Sequence, residues 1–167
     1  MPRFMYGSHY STPGVVLYFL LRIEPFTSPA LEPQGGHFDC PDRVFHDVAS
    51  SWRGCHTSMS DVRELTPEWF CCPEAFVNAS ALPLGRLQDG RPVGDVRLPP
   101  WARGDAHAFV RGQRAALESE RASAALPAWI DLVFGAKQRG EAAVAARNVF
   151  HFLTYEDAVE LDAIDDP

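Results

Sequence analysis

The sequence predicts a mainly α-helical domain whose helices are short and whose centre is built from irregular, extended segments. Three observations lead there. Apolar residues recur at helical spacing in several segments that begin at a capping residue or stop at glycine. Between Thr57 and Ser80 two prolines interrupt a stretch with no sustained period. Finally, 167 residues with 46% apolar and 22% charged content suffice for one domain with a real core and argue against wholesale disorder. No internal repeat or linker divides the chain, so residues 1–167 read as a single domain.

In chain order, Thr12 is placed to cap a helix with Pro13 at its first position, and the apolar run Val15 to Ile23 continues it before Pro25. A buried strand is the rival reading of that run. A second helix is expected to start at Asp39 or Cys40, to share one face among Val44, Phe45, Val48, Ala49 and Trp52, and to end at Gly54. A hairpin turn is expected at Asp89-Gly90, followed by a polyproline-like connector at "LPPWARG". Asp105 caps the next helix, with Phe109, Val110, Gln113 and Leu117 on one side and an unfavourable Gly112 inside. Proline disrupts a helix interior, so a break near Leu126 and a new helix from Pro127 to Phe134 follow. Glu141 to Arg147 make one further short helical piece.

The net charge of −7 is unevenly placed. Glu156 to Pro167 hold six acids and no base, which predicts an exposed, poorly ordered end; the rest is nearly neutral, with 15 bases against 16 acids. No basic field suits nucleic acid and no polybasic stripe suits anionic lipid. The longest apolar stretch, Gly14 to Leu21, is far short of the ~20 residues of a membrane span. No secretory signal opens the chain, and four cysteines do not make a disulfide scaffold, so a reducing, cytoplasmic setting is expected.

Candidate chemistry is sparse. His37, Asp39, Cys40, His46, Cys55, His56, Cys71 and Cys72 lack the paired spacing of a zinc site, so neither a metal nor another cofactor is expected. Ser8, His9 and Ser11 in "GSHYS" do not form a nucleophile elbow. Asp61 and Glu64 are three apart and would share a helix face, a pattern equally suited to a solvated first turn.

The stretch "WIDLVFGAKQRG", Trp129 to Gly140, combines a lone acid with a polar, glycine-bounded end. Leu126, Trp129, Ile130, Val133 and Phe134 cluster on one helical face, which should pack inward, with Asp131 on a flank and partly desolvated. Its expected partner is Lys137, Arg139 or a backbone donor. "GAKQRG" follows a helix rather than preceding one and therefore offers carbonyls, not N–H donors, to a phosphate. The glycine order is also wrong for a Walker loop. The stretch reads as architecture.

Several segments in this order resemble the BEACH domain of the beige and Chediak-Higashi type scaffold proteins: "YGSHYSTPGVVLYFLLRIEPFT", "QGGHFDCPDRVFHDVASSW", "SDVRELTPEWF", "GDVRLPPWARG", "ALESE", "WIDLVFGAKQRG" and "NVFHFLTYEDAVELDAIDDP". The family's tryptophan-to-glycine signature falls on Trp129, Ile130, Asp131, Leu132, Val133, Phe134, Gly135, Lys137, Gln138 and Gly140. Its Leu-Pro-Pro-Trp signature falls on Leu98, Pro99, Pro100 and Trp101. Departures occur at Arg121, Pro127 and Ala136 and in the segments Thr66 to Glu68 and Phe70 to Glu74. The resemblance implies a BEACH-type fold of short helices around irregular backbone. The family's opening and closing segments are not matched, so it also implies a partial domain, incomplete at both ends.

It implies further a non-catalytic protein-interaction module of a scaffold in vesicle trafficking, autophagy or protein localisation, including protein kinase binding. Its partners would be proteins, among them a PH-like domain of the same chain, with peripheral membrane association and neither nucleic acid nor small-molecule ligand. The candidate interaction or structural residues are Leu98, Pro99, Pro100, Trp101, Trp129, Asp131, Phe134, Lys137, Gln138 and Arg139, with Trp101 or Trp129 as anchors. A hydrolase using Asp131 or an acid between Asp61 and Glu68, and a non-functional fragment that folds poorly, are the competing readings. A partial domain would leave apolar surface exposed around Leu132 and along Val15 to Leu21.

Overall fold

A computed structural model describes residues 3–7, 13–59, 61, 63–155 and 158. Among the described residues there are six α-helices: α1 (Pro13–Leu20), α2 (Thr27–Leu31), α3 (Val48–Thr57), α4 (Ala106–Leu117), α5 (Glu120–Val133) and α6 (Gly140–Ala145). Among the described residues there is no regular strand, only three isolated bridges, Tyr6 with Phe150, Asp47 with Arg97 and Arg86 with Pro92. The architecture is mainly α with irregular extended segments through its centre, as the sequence predicts.

The irregularity has a chemical cause. Short 3-10 turns occupy Glu32–Gln34, Pro41–Arg43, Pro67–Phe70, Pro73–Phe76 and Pro100–Ala102, and each carries proline at its first or second position. Proline's fixed φ starts a helical turn readily, while its missing N–H discourages a longer run when the next proline follows closely. The result places one aromatic ring after another at the centre. Phe19 of α1, Phe45 of an extended segment, Trp69 and Phe76 of successive turns and Phe109 of α4 are all buried. Their centroids lie close, at 5.1 Å for Phe19–Phe45, 5.0 Å for Phe19–Trp69, 5.2 Å for Trp69–Phe76 and 4.9 Å for Phe76–Phe109, and all four contacts are edge-to-face. Such pairs contribute ~0.5–1.5 kcal/mol each beyond area burial. Five elements with little regular hydrogen bonding among them are thereby tied together.

Polar groups brace this core. Asp47, 3% exposed, accepts from Ser50 N–H at 2.7 Å and caps α3, and its other oxygen meets the Arg97 guanidinium. Arg22 is buried too and donates Nε and Nη2 to the Gly94 carbonyl at 3.0 and 2.9 Å. Burial pushes its pKa down to about 10, with Asp95 acting in the opposite direction. The Asp89–Gly90 turn forms as predicted, with Leu87 N–H donating to the Arg91 carbonyl at 2.9 Å.

Four expectations are corrected. The helix expected from Asp39 or Cys40 begins only at Val48 and runs through Gly54 to Thr57. Pro41 starts a separate single turn, and Val44 to His46 stay extended because Phe45 enters the core while Asp47 caps. Trp52, assigned to the inner face, is exposed. The helix expected to start at Pro127 starts instead at Glu120, where the Ser119 hydroxyl accepts from Ala122 N–H at 3.2 Å, and Pro127 lies inside it. Proline is tolerated there because Ser123, whose carbonyl loses its donor, is exposed to water.

Asp61 and Glu64 share no helix, since the chain is extended through 63–66. The run Val15 to Leu21, expected to be exposed, has Phe19, Leu20 and Leu21 buried and the others half-buried. Thr12, the "GSHYS" residues Ser8, His9 and Ser11, and nearly all of the acidic end fall outside the described residues.

Candidate interaction surface

α4 buries Ala106, Phe109 and Val110 near its start, fixed by Asp105, whose carboxylate accepts from His107 and Ala108 N–H at 2.8 and 3.1 Å. Beyond Val110 its residues rise to the surface. α5 therefore begins away from the core and buries none of its 14 residues. The face formed by Leu126, Trp129, Ile130 and Phe134 points outward, with exposures of 49, 52, 48 and 83%. This reverses the inward packing the periodicity suggested. Leu132, expected to lie bare, is half-buried instead.

A second, smaller cluster joins the first and last described segments. Met5 and Tyr6 N–H donate to the Val149 carbonyl at 2.8 and 3.2 Å, and His151 N–H donates to Tyr6 O at 2.8 Å. Ala143 and Phe150 are buried there, with Tyr6 against Phe150 at 5.3 Å.

The stretch from Trp129 to Gly140 closes α5 onto this cluster. The last four carbonyls of a helix have no partner within the helix itself. Here the Ile130 carbonyl accepts from Phe134 N–H at 2.8 Å and that of Asp131 from Lys137 N–H at 2.9 Å. The Leu132 carbonyl accepts from Asn148 Nδ2 at 2.8 Å and that of Val133 from Gln138 Nε2 at 2.8 Å. Asn148 Nδ2 also reaches the Lys137 carbonyl at 3.0 Å. Any side chain at Gly135 would place its Cβ 2.8 Å from Asp131 Cα, and Gly140 has φ +69°, so both glycines are required by the turn.

Asp131 does pair with Lys137, at 3.9 Å with both side chains nearly half exposed, an arrangement worth under ~1 kcal/mol. Arg139 is exposed and has no ion pair among the described residues. Asn148 is the functional group that sequence reasoning missed. Its signal was the set of orphan carbonyls that any helix end must satisfy.

The Leu-Pro-Pro-Trp residues lie elsewhere, against the start of α4. Leu98 packs on the core, Pro99 is half-buried, and Pro100 opens the turn that buries Ala102. Trp101 is 55% exposed on one face and stacked on Phe109 at 5.4 Å on the other. Its ring lies directly over Gly112, where a Cβ would approach to 2.6 Å. Gly112, unfavourable by helix propensity, makes room for that ring.

The acids of the competing hydrolase reading are placed differently. Asp61 lines a cavity of about 740 Å³ with Asp47, Arg63 and Tyr18 and lies 3.0 Å from Nε of Arg63, whose guanidinium stacks 3.8 Å from the Tyr18 ring centroid. Asp131 is not among the residues lining that cavity. Among the described residues no group of three His, Cys, Asp or Glu side chains is arranged to hold a metal ion, and no helix is long and apolar enough to cross a membrane.

The class defined here is a helical domain with an aromatic core, whose polar motif residues seat a helix that turns an apolar face to solvent. The chain belongs to the Beige/BEACH domain family, whose description matches residues 1–167. It is 54% identical over 166 residues to BEACH domain-containing protein B of Arabidopsis thaliana, covering 99% of this chain and 6% of that protein. It is 50% identical over 167 residues to BEACH domain-containing protein lvsD of Dictyostelium discoideum, covering 100% of this chain and 6% of the relative. Against a putative neurobeachin homolog of Caenorhabditis elegans the identity is 53% over 159 residues, 95% of this chain and 6% of the relative. The chain thus spans a small fraction of the length of the curated relatives it matches.

Proposed function

We propose that this chain is a non-catalytic protein-interaction module of a BEACH-family scaffold, and that α5 is its docking face. One observation carries the reading: four large apolar side chains are exposed here, Leu126, Trp129 and Ile130 on α5 and Phe134 at its C-cap. Contiguous exposed apolar surface of this kind marks an interaction site, and buried aromatics dominate the energy of such sites. Membership of the family supports placing the whole protein in vesicle trafficking, autophagy or the localisation of other proteins, working in the cytoplasm and at the periphery of membranes. The cis PH-like partner and protein kinase binding belong to the same proposal.

The test is proximity labelling in cells expressing the protein with and without the paired substitutions Trp129→Ser and Phe134→Ser. Specific partners are expected to fall at least tenfold in abundance while the melting temperature of the purified chain barely changes. An unchanged partner set, or a collapse of stability, refutes the docking role.

A further inference from the structure

A second concave surface lies between α6 and the 149–155 segment. Its volume is about 830 Å³; Val144, Val149 and Phe152 form an apolar trough, while Arg3 and Arg139 stand at its edge against a single acid, Glu141. Val144 and Phe152 are exposed although apolar, and neither arginine has an ion pair among the described residues. Two guanidiniums against one carboxylate beside an apolar trough complement a segment that carries carboxylates and aliphatic side chains together. We infer that this groove binds an acidic, aliphatic peptide segment of a partner protein, with the aliphatic side chains in the trough and the carboxylates on Arg3 and Arg139. The inference deepens the interaction-module reading by giving one partner segment its chemistry, and it rests on that reading.

Shape separates this occupant from an anionic membrane. A bilayer is met by protruding apolar side chains, whereas this trough is concave and carries Glu141. The chain's own acidic end, which starts at Glu156, is the other rival.

The probe is a fluorescein-labelled ten-residue peptide alternating Glu with Leu and Ile, followed by fluorescence anisotropy against the purified chain. Saturable binding that weakens with added salt is expected. Reversing Arg3 and Arg139 together to glutamate should weaken it at least tenfold, and Val144→Ser should weaken it severalfold. Both arginines are exposed, so far-UV circular dichroism of the reversed variant should match the native chain. The same peptide with Gln for Glu should bind at least tenfold more weakly.

No saturable binding, equal binding of the Gln peptide, or an unaffected charge-reversed variant overturns the inference. So does tighter binding to phosphatidylserine-containing vesicles than to the peptide. A chain with the acids of 156–166 replaced by their amides that binds the probe tenfold better also overturns it, making the chain's own end the occupant. Trp129→Ser separates this from the α5 reading, because it should reduce partner labelling and leave peptide binding unchanged.

Discussion

Gly112→Ala puts two effects of opposite sign on one residue. Replacing glycine by alanine in a helix interior stabilises by ~1 kcal/mol through backbone entropy. At this site the added Cβ would come within 2.6 Å of Trp101 Cζ3 and 2.8 Å of Cη2. The ring cannot slide inward past the fully buried Phe109, on which it stacks. It must lift away. Trp101 is 55% exposed, so nearly half of its surface is covered now. Taking half of the 150–250 Å² an aromatic buries gives ~100 Å², or ~2.5 kcal/mol at ~25 cal/mol per Å². Stacking adds ~0.5–1.5 kcal/mol. If most of this is lost, the net effect is destabilisation by ~1–3 kcal/mol, a fall of roughly 3–10 °C in melting temperature. With Trp101→Ala already present, the clash is gone and Gly112→Ala should stabilise by ~1 kcal/mol. Thermal and urea unfolding of the native chain, both single variants and the double variant form the cycle. Stabilisation by Gly112→Ala while Trp101 is intact, or simple additivity, refutes the reasoning. The cycle also decides whether Trp101 serves mainly the core rather than a partner.

Asn148→Ala should lower stability by ~1–2 kcal/mol and speed hydrogen exchange of the Lys137 amide, since two carbonyls lose their donor; unchanged exchange would contradict it. Pro127→Ala restores a donor inside α5 and should raise stability by ~1–3 kcal/mol, read from the urea midpoint. Burial raises the pKa of Tyr18, opposed by its hydrogen bond to Ser51. A raised folded value means that its contribution is complete below the unfolded value of ~10 and is lost as pH climbs through the folded one. Unfolding compared at pH 9 and pH 11 should show the native chain losing more stability than Tyr18→Phe.

Much of the fold was legible where one local rule acts alone. Asp105 as a cap, the Asp89–Gly90 turn and the helical reading of α1 each depend on a few neighbouring residues. Errors arose where a long-range contact overrides the local pattern. Val44, Phe45 and Val48 fit a helical period, yet Phe45 is drawn into a ring cluster assembled from five elements, and Asp47 is fixed by Arg97 fifty residues away. Pro127 was read as a helix start because proline usually is one, and the solvated Ser123 carbonyl that makes an interior proline tolerable leaves no mark in the sequence. Hydrophobic periodicity gave the right face for α5 and the wrong direction. A stripe of Leu126, Trp129, Ile130 and Phe134 says that something apolar should cover it, not that the covering lies in these residues. The Asp131–Lys137 pairing was readable because both partners lie on one tight turn, whereas Asn148 lies eleven residues past Lys137.

The polar motif and the apolar face of α5 belong to one arrangement. A helix of 14 residues with no buried side chain gains little from packing and, taken alone, would be marginal in water. Its persistence must come from its ends. Ser119 satisfies an N-terminal donor at the start, while the backbone of Phe134 and Lys137 and the amides of Gln138 and Asn148 take up all four terminal carbonyls. The side chains that seat the helix are therefore not the ones that cover its exposed stripe. Asn148 fastens the helix end to the cluster of Tyr6, Ala143 and Phe150, which is formed by the chain's first and last described segments. Held at both ends in this way, the helix can leave Trp129 and Phe134 uncovered without unwinding, and under the docking proposal the apolar surface would be formed before a partner arrives. Preorganisation of this kind lowers the entropy lost on association. A motif of charged residues and glycines, which contains Asp131, one of the acids of the competing hydrolase reading, thus holds the end of an apolar helix in place.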